Sequence, residues 1–234
     1  MVNNSVRRFK QIKEHFEKEA VVFDRMFFKI MPHYREMIGA VVEGIPFSKA
    51  DRLKIIDLGC GTGNLTQRIL AAYPGARITC VDMAENMLKM ARVKLKNKTK
   101  LSFWSGDIRN FDYSGRYEAI VASMVLHHID KKEKPGFYRK LRRALAKGGV
   151  FNVVDIFLAP DKHLGGLYID QWKAFMKASG LPRGLAEEMI VRHQREDRPV
   201  TLEEEFSILR QAGFRRFDVI LKHYNFAVYS ARVD

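Results

Sequence analysis

The sequence predicts an α/β fold in which a mostly parallel, seven-stranded sheet carries helices on both faces and ends in an antiparallel hairpin. Three observations predict it. The apolar run 55–58 contains Asp57 and leads into glycines at positions 59, 61 and 63. Two further strand-like runs end in Asp82 and Asp107, so acids recur every 25 residues, about one strand, turn and helix. The last two segments alternate apolar and polar residues, as antiparallel strands do.

The glycine turn is the first element with a chemical meaning. Glycine has no Cβ and tolerates positive φ, so the backbone N–H groups around Gly59 and Gly61 can approach a ligand closely. A dinucleotide-binding turn, G-x-G-x-x-G, needs its third glycine where this chain has Asn64. The spacing fits instead the G-x-G-x-G turn of enzymes that use S-adenosylmethionine (SAM).

Four ordered motifs over roughly residues 20–155 resemble those of class I SAM-dependent methyltransferases, whose sheet is Rossmann-like. The three acids fall at the carboxyl ends of their strands, the edge where open α/β sheets bind ligands. The resemblance implies SAM as cofactor, S-adenosylhomocysteine (SAH) as product and no metal. It places Gly59, Cys60 and Gly61 under the methionine moiety, Asp57 at the ammonium, Asp82 at the ribose hydroxyls, Met83 and Ile108 on the adenine faces, and Asp107 at the adenine amino group.

The fourth strand, 117–122, leads into a turn that faces the transferring methyl group in this superfamily. A fifth strand, 150–156, brings Asp155 near the same edge. Ser123 is a candidate for hydrogen bonding to SAM or substrate. His127 and His128 are candidate general bases, because imidazole titrates near neutral pH; the alternative is a packed histidine pair. The turn has neither the Asn/Asp-Pro-Pro-Tyr motif used on base amines nor a cysteine nucleophile. Two major nucleic-acid chemistries are therefore disfavoured.

The segments outside the central strands divide the single predicted domain. We expect an N-terminal helical cap (1–50), a SAM-binding core (51–158), a helical insertion or lid (159–200), and a final helix with closing strands (201–234). The cap contains an amphipathic helix over 5–19 and a dense apolar helix over 21–34 that covers the SAM site or, alternatively, packs on the sheet edge. Tyr34 matches a cofactor-contacting tyrosine of related enzymes and is a third catalytic candidate.

The insertion from Leu164 to Arg198 is predicted to be a helical lid that also joins two subunits. A monomer has little reason to expose Trp172, Phe175 and Met176 close together, so we expect a homodimer. The alternative is a monomer whose lid folds over its own pocket. Beyond it, 201–204 has the form of a capping box, with the helix ending at 212–213 and strands at 214–220 and 224–231.

The chain of 234 residues carries a net charge of +14, which raises the question of a polyanionic partner. The basic run 89–100 has no aromatic side chain, and 131–147 has Phe137 and Tyr138 side by side, so neither run interleaves its cations with aromatic side chains that stack on unpaired bases. We therefore interpret them as solvated helix faces, with tRNA as an alternative partner that we do not favour. No apolar run approaches about 20 residues, and the first eight residues lack a signal-peptide core, so we expect a cytoplasmic protein without membrane contact.

Within the superfamily, the layout is similar to that of the carboxy-SAM synthases of wobble-uridine tRNA modification and their methyltransferase relatives. The shared features are 23–24, Pro32, Tyr34, 106–108, 212–214 and 225–226. Those synthases have Ser-Leu-Gly where this chain has 61–63, and only Arg192 and Arg195 are near the position of their carboxylate-binding arginine. The sequence therefore predicts methyl transfer from SAM to a small-molecule acceptor. Alternatives are a carboxy-SAM synthase-like enzyme and a non-catalytic SAM-fold RNA-binding module.

Overall fold

A computed structural model describes residues 4–21, 23–96 and 100–234; Val22, in the apolar segment of the cap, lies outside them. The strands are β1 (Lys54–Leu58), β2 (Arg77–Asp82), β3 (Leu101–Ser105), β4 (Tyr117–Ser123), β5 (Leu145–Ile156), β6 (Arg216–His223) and β7 (Phe226–Arg232). They form one sheet in the order β3-β2-β1-β4-β5-β7-β6. Strands β1 to β5 are parallel, and β7 lies antiparallel between β5 and β6. The predicted fold class is confirmed.

The helices cover both faces of this sheet. They are α1 (Asn4–Glu19), α2 (Phe23–Ile30), α3 (Tyr34–Glu43), α4 (Asn64–Ala72), α5 (Glu85–Lys94), α6 (Lys134–Ala144), α7 (Lys162–Ala178), α8 (Arg183–Glu196) and α9 (Leu202–Ala212). Because strand side chains alternate, Ile55 and Ile56 enter two different apolar cores, one on each face. Across the described ranges, no helix has both the length and the apolarity that a bilayer crossing requires.

Pro32 divides the apolar segment that the sequence predicts as one helix over 21–34, and that prediction is wrong. Helix α2 ends at Ile30, and α3 starts at Tyr34 after a turn in which His33 has φ 53°. Proline lacks a backbone N–H and disfavours a helical conformation at the residue before it, so the helix cannot continue. The turn sends α3 onto the sheet and leaves α2 above the strand ends.

Other boundaries differ from prediction by a few residues. Strand β5 begins at Leu145, earlier than the predicted start at 150, and β6 and β7 begin two residues later than predicted. The capping box of α9 is confirmed, since Thr201 and Glu204 exchange side-chain and backbone hydrogen bonds. Gly213 ends this helix with φ 98°.

The insertion forms two helices, α7 and α8, which fold back on the same chain. Trp172 and Met176 are buried within the subunit, and Phe175 is partly buried. The Trp172 Nε1–H donates to the carbonyl of Ile30 over 2.7 Å, which ties α7 to the end of α2. The expectation that these apolar side chains are exposed is therefore wrong, and the homodimer loses the observation on which we based it.

Candidate active site

A deep cleft opens at the carboxyl ends of the parallel strands and runs beneath α1, α2, α7 and α8. The residues predicted to bind the cofactor or to act in catalysis all line it: Tyr34, Asp57, Gly59, Cys60, Gly61, Asp82, Met83, Asp107, Ile108, Ser123, His127 and His128. Other lining residues were not predicted to be site residues: Phe9, Phe16, Phe23, Phe27, His193 and Asp197. The structure therefore brings the predicted residues together, while their individual roles stay predictions.

The glycine turn after β1 shows why two of its glycines are needed. Gly59 has φ 63°, and a Cβ there would lie 2.5 Å from Cγ2 of Val125, so the turn passes too close to the β4 loop for any side chain. Gly61 has φ 53°, and the atom nearest to a Cβ there is Cε1 of Phe23 at 4.0 Å. Gly61 thus faces open space in the cleft, a cradle that a side chain would fill.

Asp57 is fully buried below this turn. Its Oδ2 accepts a hydrogen bond of 2.6 Å from the hydroxyl of Thr66, while Oδ1 has no partner in the part of the chain that the structure describes. Burial raises the pKa of the Asp57 carboxyl to about 7. An unpaired buried acceptor is costly, and an ammonium donor would satisfy it. The site therefore fits the amino-acid end of SAM.

Asp82 does more than the sequence predicted. Its carboxylate accepts from the backbone N–H of Gly61 over 2.8 Å and of Ala84 over 2.9 Å, so it braces the glycine turn against the start of α5. Burial raises the pKa of Asp82 to about 6. Each carboxylate oxygen keeps a second lone pair, so the predicted contact with two vicinal hydroxyls is still available.

Asp107, after β3, is held by a partner that the sequence did not indicate. Its carboxylate accepts from Nε of Arg109 at 3.0 Å and from the Arg109 backbone N–H at 2.9 Å, which caps a short 3-10 helix starting at Ile108. Arg109 also donates to Glu133 over 2.8 Å. Any contact between Asp107 and an adenine amino group therefore shares the carboxylate with Arg109.

Tyr34 and Ser123 meet at the centre of the cleft, where their hydroxyl oxygens are 3.4 Å apart. Burial raises the pKa of Tyr34 well above its ordinary value. The phenol is therefore protonated at neutral pH. It is suited to donating a hydrogen bond and not to acting as a base.

The histidine pair after β4 belongs to a larger cluster. His127 Nδ1 is hydrogen-bonded to Asp155 at the end of β5, and its backbone N–H also donates to that carboxylate over 3.0 Å. His193 Nδ1, from α8, lies 2.7 Å from Oδ2 of Asp197. Asp155 had been placed near this edge from the sequence. His193 and Asp197 were missed, although their spacing of four residues is the kind that puts two side chains on one helix face.

The electrostatics of the cluster separate its two adjacent histidines. Burial opposes charge on both, but Asp155 and Asp197 outweigh it at His127 and raise its pKa above the ordinary value. At His128, burial and the charge of His127 lower the pKa. Despite burial, the neighbouring histidines lower the pKa of Asp197. At neutral pH, His128 is therefore the uncharged imidazole of the pair.

The helices over the cleft are fastened by polar contacts with distant segments. Arg8, buried in α1, donates to the carbonyls of His128 and Glu196, each over 3.0 Å, and to Oδ1 of Asp130 over 2.9 Å. Glu17 accepts from the first two backbone N–H groups of α5, each over 2.8 Å. These contacts close the cleft on the side away from the sheet.

Of the two arginines considered from the sequence, only Arg192 lines the cleft. Its guanidinium is 3.2 Å from Oε1 of Glu19 and is also hydrogen-bonded to His15 on α1. The Arg195 side chain is 71% exposed. Arg192 is thus the candidate for binding an anionic group in the cleft, although its charge is already paired with Glu19.

Comparison with known proteins also points to a methyltransferase. Residues 55–149 match the family described as "Methyltransferase domain". The carboxy-S-adenosyl-L-methionine synthase of Campylobacter hominis is 29% identical, covering 95% of this chain and 96% of that protein; the Nautilia profundicola synthase is 27% identical with the same coverage. The malonyl-[acyl-carrier protein] O-methyltransferase of Acetivibrio thermocellus is 28% identical over 60% of this chain and 47% of its own.

Solved structures share the fold at lower identity. A DhpI–SAH complex superposes with a TM-score of 0.64 at 18% identity, covering 94% of each chain. Human N-acetylserotonin methyltransferase in complex with SAM gives a TM-score of 0.60 at 21% identity, covering 84% of this chain and 51% of its own. The domain match over 55–149 and the relatives aligned over nearly the whole chain support a class I SAM-dependent methyltransferase, and the solved structures share its fold.

Proposed function

We propose that this enzyme transfers the methyl group of SAM to a small-molecule acceptor bound in the cleft beside His127 and His128. The observation that carries the proposal is the continuity of the cleft, which joins the glycine turn and Asp57 to the histidine pair under one helical cover. A cofactor at one end and an acceptor at the other would meet near Ser123. A roofed cleft of this kind suits a small molecule better than a polymer.

In this proposal, the chain contributes mainly positioning. SAM supplies an electrophilic methyl group on a sulfonium. Asp57 would hold its ammonium group and Asp82 its ribose hydroxyls, and Met83 and Ile108 would pack on its adenine ring. Aligning the two reactants and excluding water accounts for most of the rate in such a displacement. Along the cover, Phe23 stacks on Phe27 and meets Phe16 edge to face, and these apolar rings keep water out.

His128 is the group best placed to take a proton from the acceptor. It is uncharged at neutral pH, and its two ring nitrogens are buried without a hydrogen-bond partner among the described residues. His127 is fixed by Asp155 and serves to position its neighbour, while Tyr34 donates a hydrogen bond. A base is needed only where the acceptor carries its proton into the cleft, as a phenol or a protonated amine does.

The first experiment tests cofactor choice by calorimetry with SAM, SAH and NAD. We expect SAM and SAH to bind and NAD not to bind. Asp82→Ala should weaken SAM binding by roughly 10- to 150-fold, because hydrogen bonds to a charged group contribute about 1.5–3 kcal/mol. Asp112→Ala, on an exposed loop, is the matched control and should bind as the wild type does. Equal affinity of the wild type and Asp82→Ala would reject the ribose contact.

A second candidate is a carboxy-SAM synthase-like activity, favoured by the curated relatives of that name and by Arg192 in the cleft. The glycine at position 61 and the pairing of Arg192 with Glu19 speak for plain methyl transfer instead. Mass spectrometry of SAM after incubation with the enzyme and prephenate distinguishes the two activities. A prephenate-dependent increase in the mass of SAM would establish the synthase activity.

The partner predictions remain open to test. Several cations in the basic runs are paired within the chain, including Lys94 with Asp24 and the buried Lys134 with Glu205. This supports a scaffold role for that charge, so we expect any tRNA binding to be nonspecific and to weaken steeply with salt. The homodimer and the cytoplasmic location stay predictions, as does the division into cap, core and lid. Light scattering decides the first, since a monomer has a mass of 27.1 kDa.

A further inference from the structure

The cluster at the acceptor end of the cleft has the geometry of a metal site. Oδ1 of Asp197 lies 3.2 Å from Nδ1 of His128 and 3.7 Å from Nε2 of His127. One donor atom from each of the three residues falls within 4.8 Å of the others. Two ligands bound at about 2.0–2.1 Å in a tetrahedral zinc site are roughly 3.3 Å apart, so the two distances to Asp197 are close to those between ligands of one ion.

Hydrogen bonding leaves this arrangement incomplete. His128 Nδ1 is close to Asp197, but the contact lacks the alignment of a hydrogen bond, and His128 Nε2 also has no partner within the described ranges. A buried polar atom without a partner carries a free-energy cost. A cation between the imidazoles and the carboxylate would remove that cost at His128.

The surroundings match the outer shell of a metal site. Asp155 binds Nδ1 of His127 and leaves Nε2, which lies on the side of Asp197, to take the ion in place of a proton. His193 binds the other oxygen of Asp197 and holds Oδ1 toward the pair. The buried carboxylate of Asp155 and the partly buried carboxylate of Asp197 then balance the charge of one divalent ion.

The backbone of the site is held in place before any ion binds. The N–H of Arg198 donates to the carbonyl of His127 over 2.7 Å, and the N–H of Asp197 donates to the carbonyl of His193 over 3.1 Å. Arg8 joins the carbonyls of His128 and Glu196 from the other side. The histidine turn and the end of α8 are therefore locked together, which is the preorganisation that a metal site needs.

We propose that His127, His128 and Asp197 bind one first-row divalent transition ion of the zinc class at the acceptor end of the cleft. Imidazole nitrogen with a single carboxylate suits such ions and not Mg²⁺ or Ca²⁺, which take oxygen ligands. Three protein ligands leave a fourth position, and this one faces the cleft, as in catalytic rather than structural zinc sites.

The role of the ion, as distinct from its binding, rests on the proposed methyl transfer. An acceptor hydroxyl or thiol at the fourth position would lose its proton more readily, because a bound ion lowers the pKa of the group it ligates. The ligated His128 would then have no role as a base. The ion would favour acceptors with an oxygen or sulfur nucleophile.

The test is a titration of chelator-treated protein with Co²⁺, followed by its visible absorption, and then displacement by Zn²⁺. We expect one ion per chain and the spectrum of a four-coordinate site. His128→Ala and Asp197→Asn should abolish that spectrum. His193→Ala should weaken binding by roughly 10- to 100-fold, the usual effect of removing an outer-shell partner.

The matched control is the double variant His33→Ala/His223→Ala. It removes the other close pair of histidines, whose ring centroids are 4.5 Å apart outside the cleft, and should leave the spectrum unchanged. SAM calorimetry on every variant verifies the fold. A spectrum retained in both His128→Ala and Asp197→Asn, or lost in the control, would overturn the proposal. If Co²⁺ does not bind while SAM binding is intact, the metal site is overturned and the proposed methyl transfer stands. If Co²⁺ binds but SAM does not, the metal site stands and the proposed methyl transfer is overturned.

Discussion

The two walls of the cleft are assembled in different ways. The cofactor wall consists of the turns after β1, β2 and β3, and its bonds join neighbouring strands, as when Asp82 accepts from Gly61. The cover consists of α1, α2, α7 and α8, and side chains fasten it to segments far away in the chain. Arg8, for example, bonds to the carbonyls of residues 120 and 188 positions later. The cofactor wall is thus part of the sheet, whereas the cover depends on a few polar contacts and apolar packing.

This difference in construction predicts that the two walls open at different free energies. Segments with few ladder hydrogen bonds open locally at a lower free energy than the core of a sheet. The cover should therefore open to admit ligands while the cofactor wall stays formed. Substitutions in the two walls should separate these properties.

The largest expected effect is at Gly59, in the cofactor wall. Gly59→Ala places a Cβ 2.5 Å from Val125 at positive φ and should destabilise the protein by roughly 3 kcal/mol. Gly61→Ala is the matched control, with similar φ but open space around the new Cβ. It should cost only about 1–2 kcal/mol. Thermal unfolding measures both. SAM binding should nevertheless be weaker in a folded Gly61→Ala, because its methyl group occupies the cradle. Equal stability losses would show that the Val125 contact does not matter.

The next effect is at Arg8, in the cover. Arg8→Met removes three hydrogen bonds from a charged donor and should weaken the closure of the cover by about 1.5–3 kcal/mol. We expect faster amide hydrogen exchange in α1 and at the end of α8, with no change in β1 and β4. Arg8→Lys keeps the charge opposite Asp130 but cannot reach all three acceptors. Its exchange rates should therefore lie between those of the wild type and Arg8→Met. Uniformly faster exchange across the sheet would contradict the division into two walls.

The same division explains how much could be predicted from the sequence. Asp57, Asp82 and Asp107 each lie at or just beyond the carboxyl end of a strand, so a local pattern places them at one edge without knowledge of the tertiary structure. The α9 capping box is equally local. The pairing of Arg109 with Asp107 is close in sequence but competes with solvent and other carboxylates, so no pattern indicates it.

The acceptor end could not be predicted in the same way. Asp197 reaches His127 and His128 only because α8 folds back over the sheet, and no local sequence pattern near residue 197 indicates that packing. Trp172 was predicted to be exposed because the sequence does not show that α2, redirected at Pro32, offers a carbonyl and an apolar face to α7. These contacts depend on the angles between helices, which are set by the whole core.

The last effect concerns pH and sharpens the role of Asp57. Its folded-state pKa of about 7 lies above the value of about 3.9 expected in the unfolded chain. The unfolded state therefore releases this proton first as pH rises. The contribution of Asp57 to the stability of the ligand-free protein should decline between about pH 4 and pH 7 and be constant above that range.

Binding of SAM places the opposite demand on Asp57, because an ammonium group pairs with the ionised carboxylate. Affinity should rise by at most tenfold per pH unit, about 1.4 kcal/mol, up to pH 7. It should fall again above about pH 8, where an α-amino group loses its proton. Calorimetry in two buffers of different ionisation enthalpy measures the proton released. Asp57→Asn should bind more weakly, with a flat profile between pH 5 and 7. A wild-type profile as flat as that of Asp57→Asn between pH 5 and 7 would remove Asp57 from the ammonium site.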